Sequence, residues 1–160
     1  PFAMSQDPTF RAETLYRYSL ASTKMGRQGH SKKLLEEAIG LVPSNATYQF
    51  ELGNLLISEQ QFKTALNHLE IANALQPNNP RILAALGFSW FKLEDASQSV
   101  LFLENAVKLA PTFALGWFHL GNSQVALGDI QSATESFKVA VQLQPTFTVA
   151  IEALSKLKGK

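Results

Sequence analysis

Apolar residues fall at intervals of three and four along most of the chain, the spacing of one face of an α-helix. Short breaks rich in Gly, Pro, Asn and Asp interrupt that pattern and mark where each helix ends. Asp7-Pro8 is a helix start, because Asp caps open N–H groups and Pro fits the first turn. The spacing predicts a helix from there to about Met25, with Leu15, Tyr18 and Ser22 toward its partner. Residues 26–29, bounded by Gly26 and Gly29, form the turn. A second helix over 31–42 carries Leu34, Leu35, Ala38 and Ile39 on one side, and Pro43 and Ser44 stop it.

Further helices are predicted over 46–58 and 61–75, burying Leu52, Leu56, Phe62, Ala65, Leu69 and Ala72. Asn79-Pro80 caps the next, over 80–93, and its partner spans 96–109; they pack through Leu83, Leu86, Trp90, Leu103 and Ala106. Helices over 114–127 and 130–143 follow. The last segment, 148–160, sets Ala150, Ile151, Leu154 and Leu157 against Glu152, Ser155, Lys156 and Lys158. That is the pattern of a capping helix, with the first half of a further repeat as the alternative.

The breaks are periodic. Pro145 is preceded at one constant interval by Pro111, Pro77 and Pro43, and Ala140 by Ala106, Ala72 and Ala38. Gly121 is likewise preceded by Gly87 and Gly53, and Leu120 by Leu86 and Leu52. Such self-similarity defines a repeat protein. The set Trp117-x2-Leu120-Gly121, Ala133-x3-Phe137 and Pro145 resembles the tetratricopeptide repeat. The resemblance implies an all-α, right-handed solenoid of four helix-turn-helix repeats, 12–45, 46–79, 80–113 and 114–147, with 148–160 as its cap. Residues 1–11 are then an N-terminal extension, of which 1–3 read as a cloning remnant. Gly53, Gly87 and Gly121 are expected where two helices cross closely, as are Ala72, Ala106 and Ala140 on the second helix. Gly26 and Gly128 suit a positive-φ turn, whereas Gln60 and Glu94 at the equivalent places predict strain or a different turn.

Composition narrows the function. A hydrophobic share of 46% and a charged share of 17% exclude a disordered chain. The net charge of +1 gives no strong global field, so nucleic acid is not an expected partner. Cysteine is absent, which removes thiolate chemistry and disulfides without fixing the compartment. No run approaches the length of a membrane span and no signal-peptide core opens the sequence. A cytoplasmic location is expected, or a membrane-anchored one if a segment upstream of Pro1 was removed; membrane association would come only through such a segment or a partner.

Catalytic motifs are missing. His30, His68 and His119 sit at different repeat positions without nearby ligands, so no metal site is expected. Gly87-Phe-Ser89 lacks the second Gly of a nucleophile elbow, and no Gly-rich loop ends in Lys-Ser or Lys-Thr. The carboxylates are scattered. No enzyme activity and no cofactor are expected. Asn45-Ala-Thr47 matches the glycosylation pattern, a match that chance often supplies. Lys24, Arg27, His30, Lys32 and Lys33 make a basic elbow; it suits an acidic partner or lipid headgroups, and a solvated turn is the favoured reading.

The resemblance implies that the first helix of each repeat lines a concave groove. It assigns to that surface Tyr16, Arg17 and Leu20; Phe50, Glu51, Asn54 and Ile57; Arg81, Phe88 and Phe91; and Phe118, His119, Asn122 and Val125. The aromatic residues make the groove apolar, and Asn54 and Asn122 suit a peptide backbone. The cationic clamp of family members that bind acidic chaperone tails is not matched. Its places fall on Tyr16, Leu20, Glu51, Arg81 and Ala85, or on Phe50, Asn54, Ala85, Leu115 and His119. The expected function is a non-catalytic scaffold, assembly factor or chaperone that binds another protein's segment through apolar anchors. The alternative is a regulatory or targeting module excised from a larger protein or enzyme. Self-association is a further expectation, with Phe2 and Phe10 as anchors.

Overall fold

The computed structural model describes residues 7–158, and among them the chain forms nine α-helices joined by short turns. Phe2 and the other residues before Asp7 lie outside the described residues. The helices are α1 (Pro8–Lys24), α2 (Gln28–Leu41), α3 (Ala46–Ser58), α4 (Phe62–Leu75), α5 (Pro80–Lys92), α6 (Ala96–Leu109), α7 (Ala114–Ala126), α8 (Ile130–Leu143) and α9 (Thr148–Lys158). Two compact units divide the chain between Pro77 and Asn78, the first holding α1 to α4 and the second α5 to α9.

Local chemistry explains the helix starts. The Asp7 carboxylate accepts from Thr9 N at 2.8 Å, and Pro8 occupies the first turn. Asn45 Oδ1 accepts from Thr47 N and Tyr48 N, so this side chain serves as a cap. Asn79, Asp95 and Asp129 do the same for α5, α6 and α8. The turns inside the helix pairs share one geometry. Gly26, Gln60, Glu94 and Gly128 all have φ between 60° and 81°, and the N–H of each donates to the carbonyl three residues back. The left-handed residue is therefore set by the hydrogen bonds of the turn. Gln60 and Glu94 adopt it at a cost of about 1–2 kcal/mol that Gly avoids. The strain read from these two positions is real, and the turn keeps its shape.

In the first unit Ala12, Ala38 and Tyr48 are buried together, flanked by Leu15, Tyr16, Ile39, Leu41 and Val42. In the second, Leu83, Ala84, Leu103, Ala106, Val107 and Leu120 form the core, with Val100, Phe102, Phe113 and Trp117 against it. Three glycines set the helix crossings. A Cβ on Gly53 would lie 2.7 Å from Leu69, one on Gly87 2.5 Å from Leu103, and one on Gly121 2.6 Å from Phe137. Ala72, Ala106 and Ala140 are fully buried.

The structure corrects several readings of the pattern. Tyr18 does not face a partner helix: it is 63% exposed, and the buried face of α1 is Ala12, Ser19 and Ser22. Small residues there let α1 approach its neighbours closely, and a tyrosine would hold them apart. Gly29 belongs to α2, which begins at Gln28, because Gly26 alone supplies the left-handed residue of the turn. Phe62 and Trp90 are half-buried and lie at the margin of the core. Ile151 is exposed on α9, whereas Ala150 is fully buried.

Two outcomes follow from this packing. Gly87→Ala is expected to destabilise the fold by about 1–3 kcal/mol, since the new methyl must displace Leu103 and meets a backbone carbonyl at 3.1 Å. Gly40→Ala, in α2 with nothing near its Cβ position, should stabilise by about 0.5–1 kcal/mol. Urea denaturation of both variants checks the contrast, and equal effects would refute the crossing argument. Removal of α9 uncovers Phe118 and Phe137, which line a shared cavity with it, and should lower stability by several kcal/mol. An unchanged melting temperature after that deletion would show α9 to be a tail.

Candidate functional site

The second unit gathers aromatic rings from α5, α7 and α8 and the loop before α9. Phe88 and His119 have ring centroids 4.8 Å apart, and Phe118 lies 5.6 Å from His119. Phe118 also stands 5.1 Å from Phe147 and 5.9 Å from Phe137. These tilted contacts are the favoured geometry for ring quadrupoles. Lys92 Nζ lies 5.7 Å from the centre of the Phe88 ring. Phe137 is fully buried, whereas Phe88, Phe118, His119 and Phe147 are half-buried, so these four both pack and present an edge.

Burial, reinforced by the charge of Lys92, pushes the His119 pKa down from the usual histidine range to about 4. His119 is therefore neutral at physiological pH. His68, in the first unit, is also shifted downward, chiefly by burial, and its Nδ1 is 2.8 Å from Gln49 Oε1. His30 is exposed. Among the described residues no three His, Asp or Glu side chains converge on a metal position.

Beneath the aromatic cluster a cavity of about 450 Å³ opens between α7 and α9. Phe118, Phe137, Val125, Val149 and Leu157 give it apolar walls; Asn122, Glu152 and Lys156 add polar groups. Of the groove residues expected from the sequence, Phe118, Asn122 and Val125 line this cavity and Phe88 adjoins it through His119. Phe91 lines a separate cavity with Lys92, Glu94, Ala96 and Ala126, while Arg81 is exposed in the first turn of α5.

In the first unit, Leu20 and Asn54 meet at a smaller cavity of about 210 Å³, with Glu51 beside them and Ser19, Thr23 and Ser31 among the walls. Thr23 and Ser31 hydroxyls are 2.7 Å apart there. Tyr16 stacks at 5.1 Å on Tyr48, and Phe50 is only 8% exposed. Phe50 is thus mainly a packing residue. Alternation of first and second helices could not show this, because the same helix face carries both inner-surface and inter-helix positions.

A feature that the sequence pattern missed lies in the second unit. Between α6 and α8 is a cleft of about 700 Å³ lined by Trp117, Leu120, Val107 and Val139, with Glu104, Lys108 and Glu135 also facing it. Trp117 was legible only as a motif residue. Its indole N–H donates to the Pro111 carbonyl at 2.9 Å, which fixes the ring at the cleft. Nearby, Ser136 Oγ donates to Gln124 Oε1 at 2.7 Å. Ser99 lies 2.7 Å from both the Gly87 carbonyl and Ser123 Oγ, closing a buried polar link among α5, α6 and α7.

Comparison with known proteins gives a consistent picture. Residues 114–147 match the family model for the tetratricopeptide repeat. The chain is 26% identical over 134 residues to the chloroplastic tetratricopeptide repeat domain-containing protein PYG7 of Arabidopsis thaliana, covering 81% of this chain and 44% of that protein. It therefore spans less than half the length of that relative. The crystal structure of MamA protein superposes with a TM-score of 0.84 at 16% identity, over 92% of this chain and 80% of that one. The first tetratricopeptide domain of Spaghetti (RPAP3), solved with an HSP90 peptide, gives 0.69 at 19% identity, over 71% and 90%. Helix pairs at a constant period, glycines at their crossings and these likenesses together give the chain the all-α fold of tetratricopeptide-repeat proteins, with residues 114–147 matching the model of that family.

Proposed function

We propose that the protein is a scaffold or assembly factor that holds an apolar segment of a partner against α7 and α9. The single observation that carries this reading is the cavity walled by Phe118, Val125, Val149 and Leu157 with Asn122 beside them. Its apolar walls remove a partner's side chain from water. Asn122 can both donate to and accept from that partner's backbone, which an extended segment or a helix end presents. Phe88 on α5 and neutral His119 on α7 extend the surface, with Lys92 as the charge beside the Phe88 ring. A chaperone-like role fits the same chemistry, since a client protein exposes apolar segments before it assembles.

Acidic chaperone tails are poor ligands by the same reasoning. Glu51 adjoins the Leu20–Asn54 cavity in the first unit, and a carboxylate brought there would meet repulsion. The RPAP3 domain's HSP90 peptide thus supports the mode, a bound segment, and not that particular ligand.

Selection of peptides from a random displayed library tests the proposal. Selected peptides should carry large apolar anchors, and Val125→Glu should weaken them about tenfold or more, the loss of one anchor contact. Peptides that bind equally well to Val125→Glu would overturn it. A second outcome concerns pH. The folded-state pKa of His119 lies below its unfolded value, so His119 contributes no penalty above pH 6.5. As pH falls from there toward about 4, the unfolded chain takes up the proton first and stability declines, by at most about 1.4 kcal/mol per pH unit. His119→Phe should flatten the melting-temperature profile over that window. An unchanged profile would show that His119 ionises freely.

A further inference from the structure

The first unit presents a face that its own packing leaves uncovered. Phe10, Thr14, Tyr18, Ala21 and Met25 follow one another at steps of three and four along α1 and its C-cap, and so share one side. Phe10 is 52% exposed, Tyr18 63% and Met25 64%. The opposite side of α1, with Ala12 and Ser19, is buried, and buried Ser22 marks the edge of the stripe.

This stripe runs into a cationic tip. Lys24, Arg27 and Lys33 surround the α1–α2 turn, all exposed, and none has an ion pair among the described residues. Lys32 is held by Glu59 at 3.3 Å, while Arg11 pairs with Glu37 and Arg17 with Glu13. Residues 14–35 contain five Lys or Arg and no Asp or Glu. The whole chain has 14 basic and 13 acidic residues, so everything outside that window is left with nine against 13. Of those five, Lys24, Arg27 and Lys33 are left as unpaired positive charge around the turn of a nearly neutral protein.

We propose that the outer face of α1 and the α1–α2 turn dock on an anionic lipid bilayer surface. Nothing packs on the turn: Cβ atoms placed on Gly26 or Gly29 would meet nothing within 4 Å. The cavity beside the turn is lined by Thr23, Gln28, Ser31 and Glu51 and holds none of the three unpaired cations, so these face outward, as a broad anionic surface requires. Met25 stands between Lys24 and Arg27, so it enters the headgroup region as the cations reach lipid phosphates. With α1 lying along the surface, Phe10 and Tyr18 reach the same depth, Tyr with an apolar ring and a polar end. Each unpaired Lys or Arg near such a surface strengthens binding about fivefold.

Vesicle flotation of the full chain tests this. The protein should float with vesicles of equal parts phosphatidylserine and phosphatidylcholine, and stay behind with phosphatidylcholine alone. Raising salt from about 0.1 M to about 1 M, which shortens the Debye length from about 10 Å to about 3 Å, should release it. The triple variant Lys24→Gln, Arg27→Gln, Lys33→Gln should lose about a hundredfold in affinity. Tyr18→Ser, with all charges kept, should weaken binding to a lesser degree. Circular dichroism melting confirms that each variant is folded. Failure of the wild-type chain to float, equal flotation with neutral lipid, or undiminished flotation of the triple variant would each overturn the proposal. So would retention on polyglutamate through the same three cations without flotation, which would assign the face to an acidic protein segment.

Discussion

The fold depends on the close approach of two helices at a residue without a side chain. Gly53, Gly87 and Gly121 sit where the first helix of a pair meets Leu69, Leu103 or Phe137 of the second. At these distances an added Cβ would overlap its neighbour, so the crossing geometry exists only because the side chain is absent. Close crossing lets the second helix bury a large side chain completely, as the near-zero exposure of Leu69, Leu103 and Phe137 shows. A pair so joined still has apolar faces left over, and stacking on the next pair is what covers them.

That division of labour explains why the candidate site lies where it does. Residues committed to crossings and inter-helix packing are small or fully buried. Positions rotated away from them, such as Phe118, Asn122 and Val125 on α7, are free to form a surface. Phe118 does both, since it touches Phe137 on one side and lines the α7–α9 cavity on the other. The buried polar links work in the same way. Ser99 and Ser123 satisfy each other and the Gly87 carbonyl where an aliphatic residue would have to fit between helices crossing at a glycine.

The first unit uses the same design with different surface chemistry. Its α1–α2 turn carries Lys24 and Arg27, where the α5–α6 and α7–α8 turns carry Asp95 and Asp129 as helix caps. The backbone of the turn is indifferent to this change, because its hydrogen bonds are made by main-chain groups. Surface charge can therefore vary from turn to turn while the fold stays constant. This is the physical sense in which one fold carries many interaction sites.

The sequence by itself determined the helix pairs, the period and the family likeness. Each rests on local or periodic information: Asp7, Asn45 and Asn79 at helix starts, apolar residues at helical spacing, and glycines recurring at one phase. It also marked Gln60 and Glu94 as residues placed against their preference. Tertiary structure decided which of the helix faces stay open. Tyr18 and Phe50 were both legible as apolar helical residues, yet Tyr18 is exposed and Phe50 buried. Periodicity gives the angle of a side chain around its own helix. Burial depends on which neighbour occupies that angle and how closely it approaches, and the chain acquires those distances only when the helices pack.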